Sequence, residues 1–282
     1  MSIDRITSAM TNFIFCISYS AREKYLLRIY GDEGDSFIDR ALEMEYLSWL
    51  GEKGLSPKLL GSFSNGRIEE YVESRTLTHN DIRNPNFSAR IASEMHRLHD
   101  YMQACSIESN IGVIEKMIYF YDSLKFDEAL SCLPFCTLTL INKMNERMKQ
   151  YPLQFCHNDL QYGNIIVRPD NSIMFLDYEY GGYGVSLYDI ANHFCEWMAS
   201  YEEGSFVLDA SKFPSKKEQI HFLNNYFVEP FDAESISAQI DYFVHVSHLF
   251  WGLWGLYQAK HCKIKFDYHK YAMQRLSLFK WE

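Results

Sequence analysis

Two stretches of the sequence, FCHNDLQYGN at 155–164 and IMFLDYEY at 173–180, decide the fold and the chemistry of this chain. The first contains the pattern His-x-Asp-x4-Asn, with Asp159 and Asn164, and the second places Asp177 directly after an apolar run. Phosphoryl transfer needs a carboxylate that accepts the proton of the attacking hydroxyl, and hard oxygen ligands that hold magnesium against the phosphates. Asp159 fits the first role. Asn164 and Asp177 fit the second, so all three are candidate catalytic residues and the last two are candidate metal ligands.

The local pattern around these residues predicts a β-hairpin. Asn164–Val167 and Ile173–Leu176 are apolar runs on either side of the turn Pro169-Asp170-Asn171. Such a hairpin would bring Asp177 back beside Asn164. Any one of the polar residues alone would be read as an ordinary turn residue, because Asp and Asn are common at strand ends. The occurrence of Asp159, Asn164 and Asp177 in this order favours a catalytic site.

The first seventy or so residues predict strands around one helix. Phe13–Tyr19 and Tyr25–Tyr30 predict one hairpin. Pro57–Phe63 and Arg67–Val72 flank an Asn-Gly pair and predict a second. These strands form the β-rich beginning of the chain.

One helix is predicted between the two hairpins. Ile38, Leu42, Glu45 and Trp49 recur at spacings of four, three and four, the period of one helix face. Glu45 is then a carboxylate on an otherwise apolar face, which marks it as a candidate functional residue.

Beyond residue 74 the pattern becomes mainly helical. Ala92, Met95, Leu98 and Met102 form one stripe, further helices are expected over 110–150 and from 186 onward, and the β island at 153–177 interrupts them. We therefore predict an α+β, two-lobed chain with a small β-rich lobe (1–74) and a larger, mainly helical lobe (75–282). The cleft between such lobes is the expected ligand site.

Charge and composition narrow the function classes. With 27 basic and 37 acidic residues the net charge is −10, which disfavours binding to nucleic acid. Aromatic residues make up 16% of the chain, which suits either a core or a site for a flat or cationic ligand.

Cysteine usage and hydropathy predict an intracellular, cytoplasmic protein. The seven cysteines are odd in number and include no Cys-x-x-Cys pair, which is typical of reduced thiols. The apolar run Phe13–Ile17 is too short for a leader core, and the uncharged window 242–259 is too polar for membrane insertion.

The chain resembles the choline/ethanolamine kinase family, within the wider group of protein-kinase-like phosphotransferases that includes aminoglycoside kinases. The stretch 155–164 resembles the catalytic loop shared by many kinases. Asp177–Tyr180 with Tyr188–Trp197, and His248–Trp254 with Gln258–Lys260, resemble segments specific to this family. The likeness covers most of the chain.

For the N-terminal lobe the resemblance implies a nucleotide site. Arg28 would contact ATP phosphates, Glu45 would orient Arg28, and Glu70 and Tyr71 would lie at the hinge that meets adenine. An Arg can bind phosphate oxygens bidentately. In the loop that resembles the family's nucleotide loop, Ala9 replaces a usual glycine.

The substrate pocket implied by the resemblance is aromatic. A quaternary ammonium has no N–H donor, so aromatic faces and a nearby carboxylate must hold it. Trp251 and Trp254 are three apart on a predicted helix and share a face; without the resemblance, that spacing is more typical of helix core. The other implied substrate-binding residues are Gln161 beside the base, Tyr180, Glu196, Tyr201, Phe266 and Tyr271.

The function implied is an ATP- and magnesium-dependent kinase that phosphorylates the hydroxyl of choline for phosphatidylcholine synthesis. The alternatives are an ethanolamine kinase, then an aminoglycoside kinase, and, in another class, a catalytically weak kinase-like binding protein. The expected partners are choline and ATP, and a homodimer is compatible with this assignment. Asp189 is expected to brace the catalytic loop, and His99 and His193 to be structural.

Overall fold

The computed structural model describes residues 1–6, 12–20, 23–31, 38–101, 112–126, 128–131, 133, 136–201, 206–262, 264 and 266–280. Five antiparallel strands form the N-terminal sheet: β1 (Ser2–Ile6), β2 (Asn12–Ser18), β3 (Lys24–Tyr30), β4 (Leu59–Phe63) and β5 (Gly66–Glu70). Their order across the sheet is β1-β2-β3-β5-β4.

Both hairpins predicted for this sheet are confirmed. Strand β2 pairs with β3, and β4 with β5. The Asn-Gly turn ends at Gly66, where an added Cβ would lie 2.3 Å from the carbonyl oxygen of Arg28, so only glycine fits there. The sequence interpretation missed the edge strand β1. Its residues are mostly exposed and show little alternation of apolar and polar side chains, and the strand is held by its hydrogen bonds to β2.

The predicted helix exists as α1 (Arg40–Glu52), but its buried face is not the predicted one. Asp39 caps its N-terminus by accepting from the backbone N–H of Leu42 at 3.0 Å. The fully buried positions include Glu43 and Leu50, whereas Glu45 is exposed. Positions 43, 46, 47 and 50 also have helical spacing, and the sheet against which the helix packs selects between the two faces.

The C-terminal part is mainly helical, as predicted. Its helices are α2 (His79–Ile82), α3 (Pro85–Tyr101), α4 (Gly112–Leu124), α5 (Glu128–Ser131), α6 (Leu138–Met148), α7 (Ser186–Glu196), α8 (Lys216–Tyr226), α9 (Ala233–His261) and α10 (Tyr268–Ser277). None of these described helices combines the length and the apolar character needed to cross a bilayer. Ala92, Met95 and Leu98 are buried on α3 as expected, and Met102 lies outside the described residues.

Short strands interrupt these helices: β6 (Arg75–Thr76), β7 (Leu153–Cys156), β8 (Ile165–Val167), β9 (Ile173–Phe175), β10 (Gly182–Val185), β11 (Ala199–Ser200) and β12 (Val207–Leu208). The predicted hairpin at 164–176 is confirmed as β8 and β9, and β6 joins it on the other side of β8. Strand β7 pairs with β10 and so sets the start of the loop that carries Asp159. The lobe boundary between residues 74 and 75 stays a prediction.

Helices α9 and α10 pack closely because glycines lie at their crossing. A Cβ on Gly255 would lie 2.9 Å from Cδ1 of Tyr271 and 3.2 Å from the backbone Cα of Ala272. This close approach places the aromatic residues of α10 against those of α9.

We expect Gly255→Ala to destabilise the fold. Overpacking costs about 1–3 kcal/mol, which exceeds the ~1 kcal/mol that alanine gains in helix propensity. A net loss of about 1 kcal/mol lowers the melting temperature by roughly 2–4 °C. Gly61→Ala is the control, because a Cβ there meets nothing within 4 Å. A melting temperature raised by Gly255→Ala would contradict the close packing.

Candidate active site

A buried carboxylate holds the catalytic loop that follows β7. Asp189 on α7 accepts from the backbone N–H groups of His157 and Asn158, each at 2.8 Å. His99 Nε2 lies 3.0 Å from the same carboxylate. Burial opposes the charge of Asp189, but the hydrogen bond from His99 and the backbone donors hold its pKa below the ordinary value. These contacts agree with the expected bracing of the loop by Asp189 and with a hydrogen-bonded, buried His99; the roles themselves stay predictions.

A second buried residue joins this loop to the aromatic helix α9. Asn192 Nδ2 donates to the carbonyl of Asn158 at 3.0 Å, while its Oδ1 accepts from Trp251 Nε1 at 2.7 Å and Ser247 Oγ at 2.8 Å. Asn158 has φ 66°, a left-handed conformation that asparagine tolerates, and its side chain donates to the carbonyl of Tyr180. Asn192 therefore fixes the loop and one tryptophan to each other.

Asp159 and Asn164 are in direct contact. Asn164 Nδ2 donates to Asp159 Oδ2 at 2.8 Å and to the Asp159 carbonyl at 2.9 Å. Burial raises the pKa of Asp159 well above its ordinary range, and the negative charges of Glu196 and Asp177 raise it further. The environment thus makes Asp159 more basic than a solvent-exposed aspartate.

The hairpin brings Asp177 beside this pair. The backbone N–H of Leu176 donates to the Asn164 carbonyl at 2.8 Å, and the carbonyl of Leu176 lies 2.8 Å from His157 Nε2. Asp177 itself has φ 67°, a conformation that costs of order 1–3 kcal/mol in a non-glycine residue and is concentrated at functional sites. Burial opposes its ionisation, but Arg28 keeps the pKa of Asp177 below the ordinary value, so it is charged.

A buried ion-pair network in the N-terminal sheet reaches Asp177. Arg28 Nη1 lies 3.1 Å from Asp177 Oδ1, and its Nε lies 3.2 Å from Glu69. Glu69 also binds Arg67 at 2.5 Å, and Arg67 binds Glu43 on α1 at 2.7 Å. The network continues through Arg40, which contacts both Glu43 and Glu179. It connects α1, the sheet and the segment after Asp177.

The expected pairing of Glu45 with Arg28 is wrong. Glu45 points to solvent, and the carboxylates that orient Arg28 are Glu69 and Asp177. Sequence reasoning missed Arg67 and Glu69, although a signal existed. They alternate along β5, and Arg67 lies opposite Arg28 across the β3–β5 ladder, so these side chains share one face of the sheet.

The residues predicted for the hinge lie where β5 ends. Glu70 and Tyr71 are half-buried, and the backbone N–H of Glu70 donates to the Lys58 carbonyl at 2.9 Å. Lys24 Nζ lies 5.0 Å from the centre of the Tyr71 ring. The predicted nucleotide loop spans residues 8–12; of these, 8–11 lie outside the described residues, and Asn12 opens β2. The adenine-binding role stays a prediction.

Most of the predicted substrate residues meet in one aromatic cluster. The rings of Trp251 and Trp254 lie 5.3 Å apart; Tyr180 is 5.1 Å from Trp251, and Tyr271 is 5.4 Å from Trp254. Phe266 joins more loosely, at 6.1 Å from Tyr271. The sequence interpretation missed two further rings of the cluster: Tyr268, 5.6 Å from Trp254, and Phe206, 4.4 Å from Tyr271.

A buried carboxylate lies beside this aromatic cluster. Glu196, at the end of α7, accepts from the Tyr201 hydroxyl at 2.9 Å and forms an ion pair with Arg275. Sequence reasoning missed Arg275, although it lies four residues after Tyr271 and hence on the same face of α10. Gln161, which is half-buried, opens the turn that leads to Asn164 and lies two residues from Asp159.

A small antiparallel sheet, a mainly helical second part and a His-x-Asp-x4-Asn loop facing a second carboxylate define a phosphotransferase with the protein-kinase-like fold. The family model described as Choline/ethanolamine kinase matches residues 3–280. The chain therefore belongs to the choline/ethanolamine kinase family.

Some relatives are named choline kinases and others ethanolamine kinases. Probable choline kinase 3 from Arabidopsis thaliana is 34% identical over 301 residues, covering 99% of this chain and 86% of the relative. A probable ethanolamine kinase from the same organism is 30% identical over 302 residues, covering 99% and 79%. The crystal structure of choline kinase from Cryptosporidium parvum Iowa II has a TM-score of 0.78 at 23% identity, covering 98% of this chain and 87% of that chain. The predicted fold class is confirmed.

Proposed function

We propose that this kinase transfers the γ-phosphate of ATP to the hydroxyl of choline. The observation that carries the proposal is the tryptophan pair of α9, whose rings lie 5.3 Å apart within the aromatic cluster. Ring faces attract a quaternary ammonium, which has no N–H to donate. Because Asn192 ties Trp251 to the catalytic loop, a cation held at these rings would have its hydroxyl held relative to Asp159.

Asp159 is the proposed general base. The choline hydroxyl loses its proton to Asp159 as its oxygen forms a bond to the γ-phosphorus, and the bond from that phosphorus to the bridging oxygen breaks to release ADP. The raised pKa of Asp159 suits this role, since a base works best when its pKa approaches the working pH. Asn164 holds the carboxylate through its amide N–H.

The oxygens around the loop fit a magnesium ion. The amide nitrogen of Asn164 donates a hydrogen bond to Asp159, which leaves Oδ1 of Asn164 to serve as a metal ligand. Asp177 is ionised and can serve as the second ligand. Magnesium prefers such hard oxygen donors and typically takes only one or two carboxylates from the protein. When bound, it supplies charge neutralisation at the phosphate oxygens. The sequence interpretation did not include Glu179, a nearby buried carboxylate two residues after Asp177.

Arg28 is the proposed phosphate contact. It is buried between Glu69 and Asp177, which fix the plane of its guanidinium. A guanidinium held in this way is well suited to bidentate contact with phosphate oxygens. The backbone at Glu70 and Tyr71 would meet adenine.

We expect Asn164→Ala and Asp177→Ala to raise the magnesium requirement, because each removes one oxygen ligand. Titrating magnesium at saturating ATP and choline measures this. Asp170→Ala is the matched control, since it removes an exposed carboxylate from the β8–β9 turn. Wild-type magnesium dependence in both site variants would contradict their metal role.

A coupled assay of ADP release with choline and with ethanolamine tests the proposed function. A higher kcat/KM for choline is the expected result. Ethanolamine kinase is the second candidate, because relatives with the two names match at similar identity, 34% and 30%. ADP release with neither amine would overturn the proposal and favour a kinase-like binding protein.

We also propose a cytoplasmic location and a role in supplying phosphocholine for phosphatidylcholine synthesis. Free thiols support a reducing compartment. Those among the described residues are Cys16, Cys136, Cys156, Cys195 and Cys262. Fractionation of cells expressing the chain measures the location. A homodimer stays a prediction.

A further inference from the structure

A buried guanidinium lies inside the aromatic cluster. Arg275 has 0% exposure, and its guanidinium carbon is 5.4 Å from the ring centre of Tyr271 and 5.9 Å from that of Phe206. Its Nη2 contacts Glu196, the buried carboxylate at the end of α7. A cation thus lies in the cluster proposed to receive a cationic substrate.

This arginine changes what Glu196 can offer a substrate. One carboxylate oxygen is paired with Arg275, and the other accepts from the Tyr201 hydroxyl. The charge of the carboxylate is therefore balanced inside the protein. A primary ammonium has three N–H donors that lose their water on entry and need acceptors, whereas a trimethylammonium needs only ring faces.

We propose that Arg275 is a specificity-determining residue, which neutralises Glu196 and thereby makes the pocket prefer quaternary over primary ammonium groups. The inference rests on the proposed function, because it concerns the choice between amines at the same site. It goes beyond that function in assigning the selectivity to an internal ion pair as well as to the rings. Arg275 acts through Glu196 and is not placed in contact with the reacting atoms.

The first test compares Arg275→Met with Arg275→Lys. Methionine frees the Glu196 carboxylate to accept from ethanolamine, so the ratio of kcat/KM for choline to that for ethanolamine should fall about tenfold, the effect of one added charge-assisted hydrogen bond. Lysine keeps the positive charge and should retain most of the wild-type ratio. An unchanged ratio in folded Arg275→Met would overturn the proposal.

The second test remains decisive if Arg275→Met does not fold, since an unpaired buried charge is strongly destabilising. Glu196→Gln leaves Arg275 unpaired, so it should lower the melting temperature and raise the choline KM of the folded protein about tenfold or more. The double variant Arg275→Met/Glu196→Gln removes both charges and should return the choline KM and the melting temperature toward wild type. A choline KM in the double variant that is about tenfold or more above that of wild type would mean that Glu196 holds the substrate directly, and would overturn the proposal.

A binding measurement separates this inference from the proposed function. Tetramethylammonium and methylammonium carry no hydroxyl, so their stabilisation of the wild-type and variant proteins against heat reports the pocket without phosphoryl transfer. Wild-type protein should be stabilised more by tetramethylammonium, and Arg275→Met should narrow that difference. Failure of wild type to release ADP with either amine counts against the proposed function, whereas an unaltered tetramethylammonium preference in Arg275→Met counts against the role of Arg275.

Discussion

Replacing Asp159 with Asn should remove most turnover while ATP and choline still bind. The substitution keeps the size of the side chain. In the wild-type protein Asn164 Nδ2 donates to Asp159 Oδ2 at 2.8 Å, and the amide oxygen of the new asparagine can still accept this hydrogen bond. What is lost is the group that accepts the hydroxyl proton, and general bases typically contribute ~10²–10⁴-fold. We therefore expect kcat to fall at least about a hundredfold. Steady-state kinetics measure the fall, and thermal stabilisation by each substrate measures binding.

The matched control for Asp159→Asn is Asp170→Asn, which makes the same chemical change at an exposed turn. It should retain wild-type kcat. Retention of more than about a tenth of wild-type kcat by Asp159→Asn would show that another group takes the proton. Loss of activity together with a much lower melting temperature would instead indicate a structural role.

Replacing Trp254 with Leu should raise the choline KM on the order of tenfold or more. The indole of Trp254 packs between Trp251 and Tyr271, and leucine keeps apolar volume but removes the ring quadrupole. A desolvated cation–π contact is worth ~2 kcal/mol, and each ~1.4 kcal/mol is tenfold in affinity. Ethanolamine has three N–H donors that do not depend on the ring, so its KM should rise less than that of choline. The preference for choline should therefore narrow. Steady-state KM for both amines and for ATP checks this, and the KM for ATP should hardly move.

Trp254→Phe serves as the graded control, because it retains an aromatic face and should lose less choline affinity than leucine. A purely structural role for Trp254 predicts another pattern. Both amines would then suffer alike, and the melting temperature would fall in proportion to the lost volume. Equal losses for the two amines would overturn the assignment of this ring to the substrate pocket.

Local patterns predicted the parts of the site that local interactions form. The β8–β9 hairpin joins residues close in the chain, and its turn and apolar runs are sufficient to bring Asp177 beside Asn164. The helical spacing of Trp251 and Trp254 placed them on one face, and their rings indeed touch. In each case the contact depends on the geometry of one hairpin or one helix.

Contacts between elements could not be predicted in this way. Two faces of α1 have acceptable helical spacing, and the choice of Glu43 over Glu45 depends on Arg67, which lies 24 residues away on β5. A buried carboxylate needs a cation as its partner, and the sheet provides that cation only once it has formed.

By itself the sequence determined the fold class, the family and the order of Asp159, Asn164 and Asp177 around the β8–β9 hairpin, because these follow from short spacings and family-specific segments. Only the tertiary structure decided which charges meet. Arg275 and Glu196 are 79 residues apart in the chain, and no periodicity connects them. They pair because α7 and α10 both pack against α9, and because an ion buried among aromatic rings must find an opposite charge.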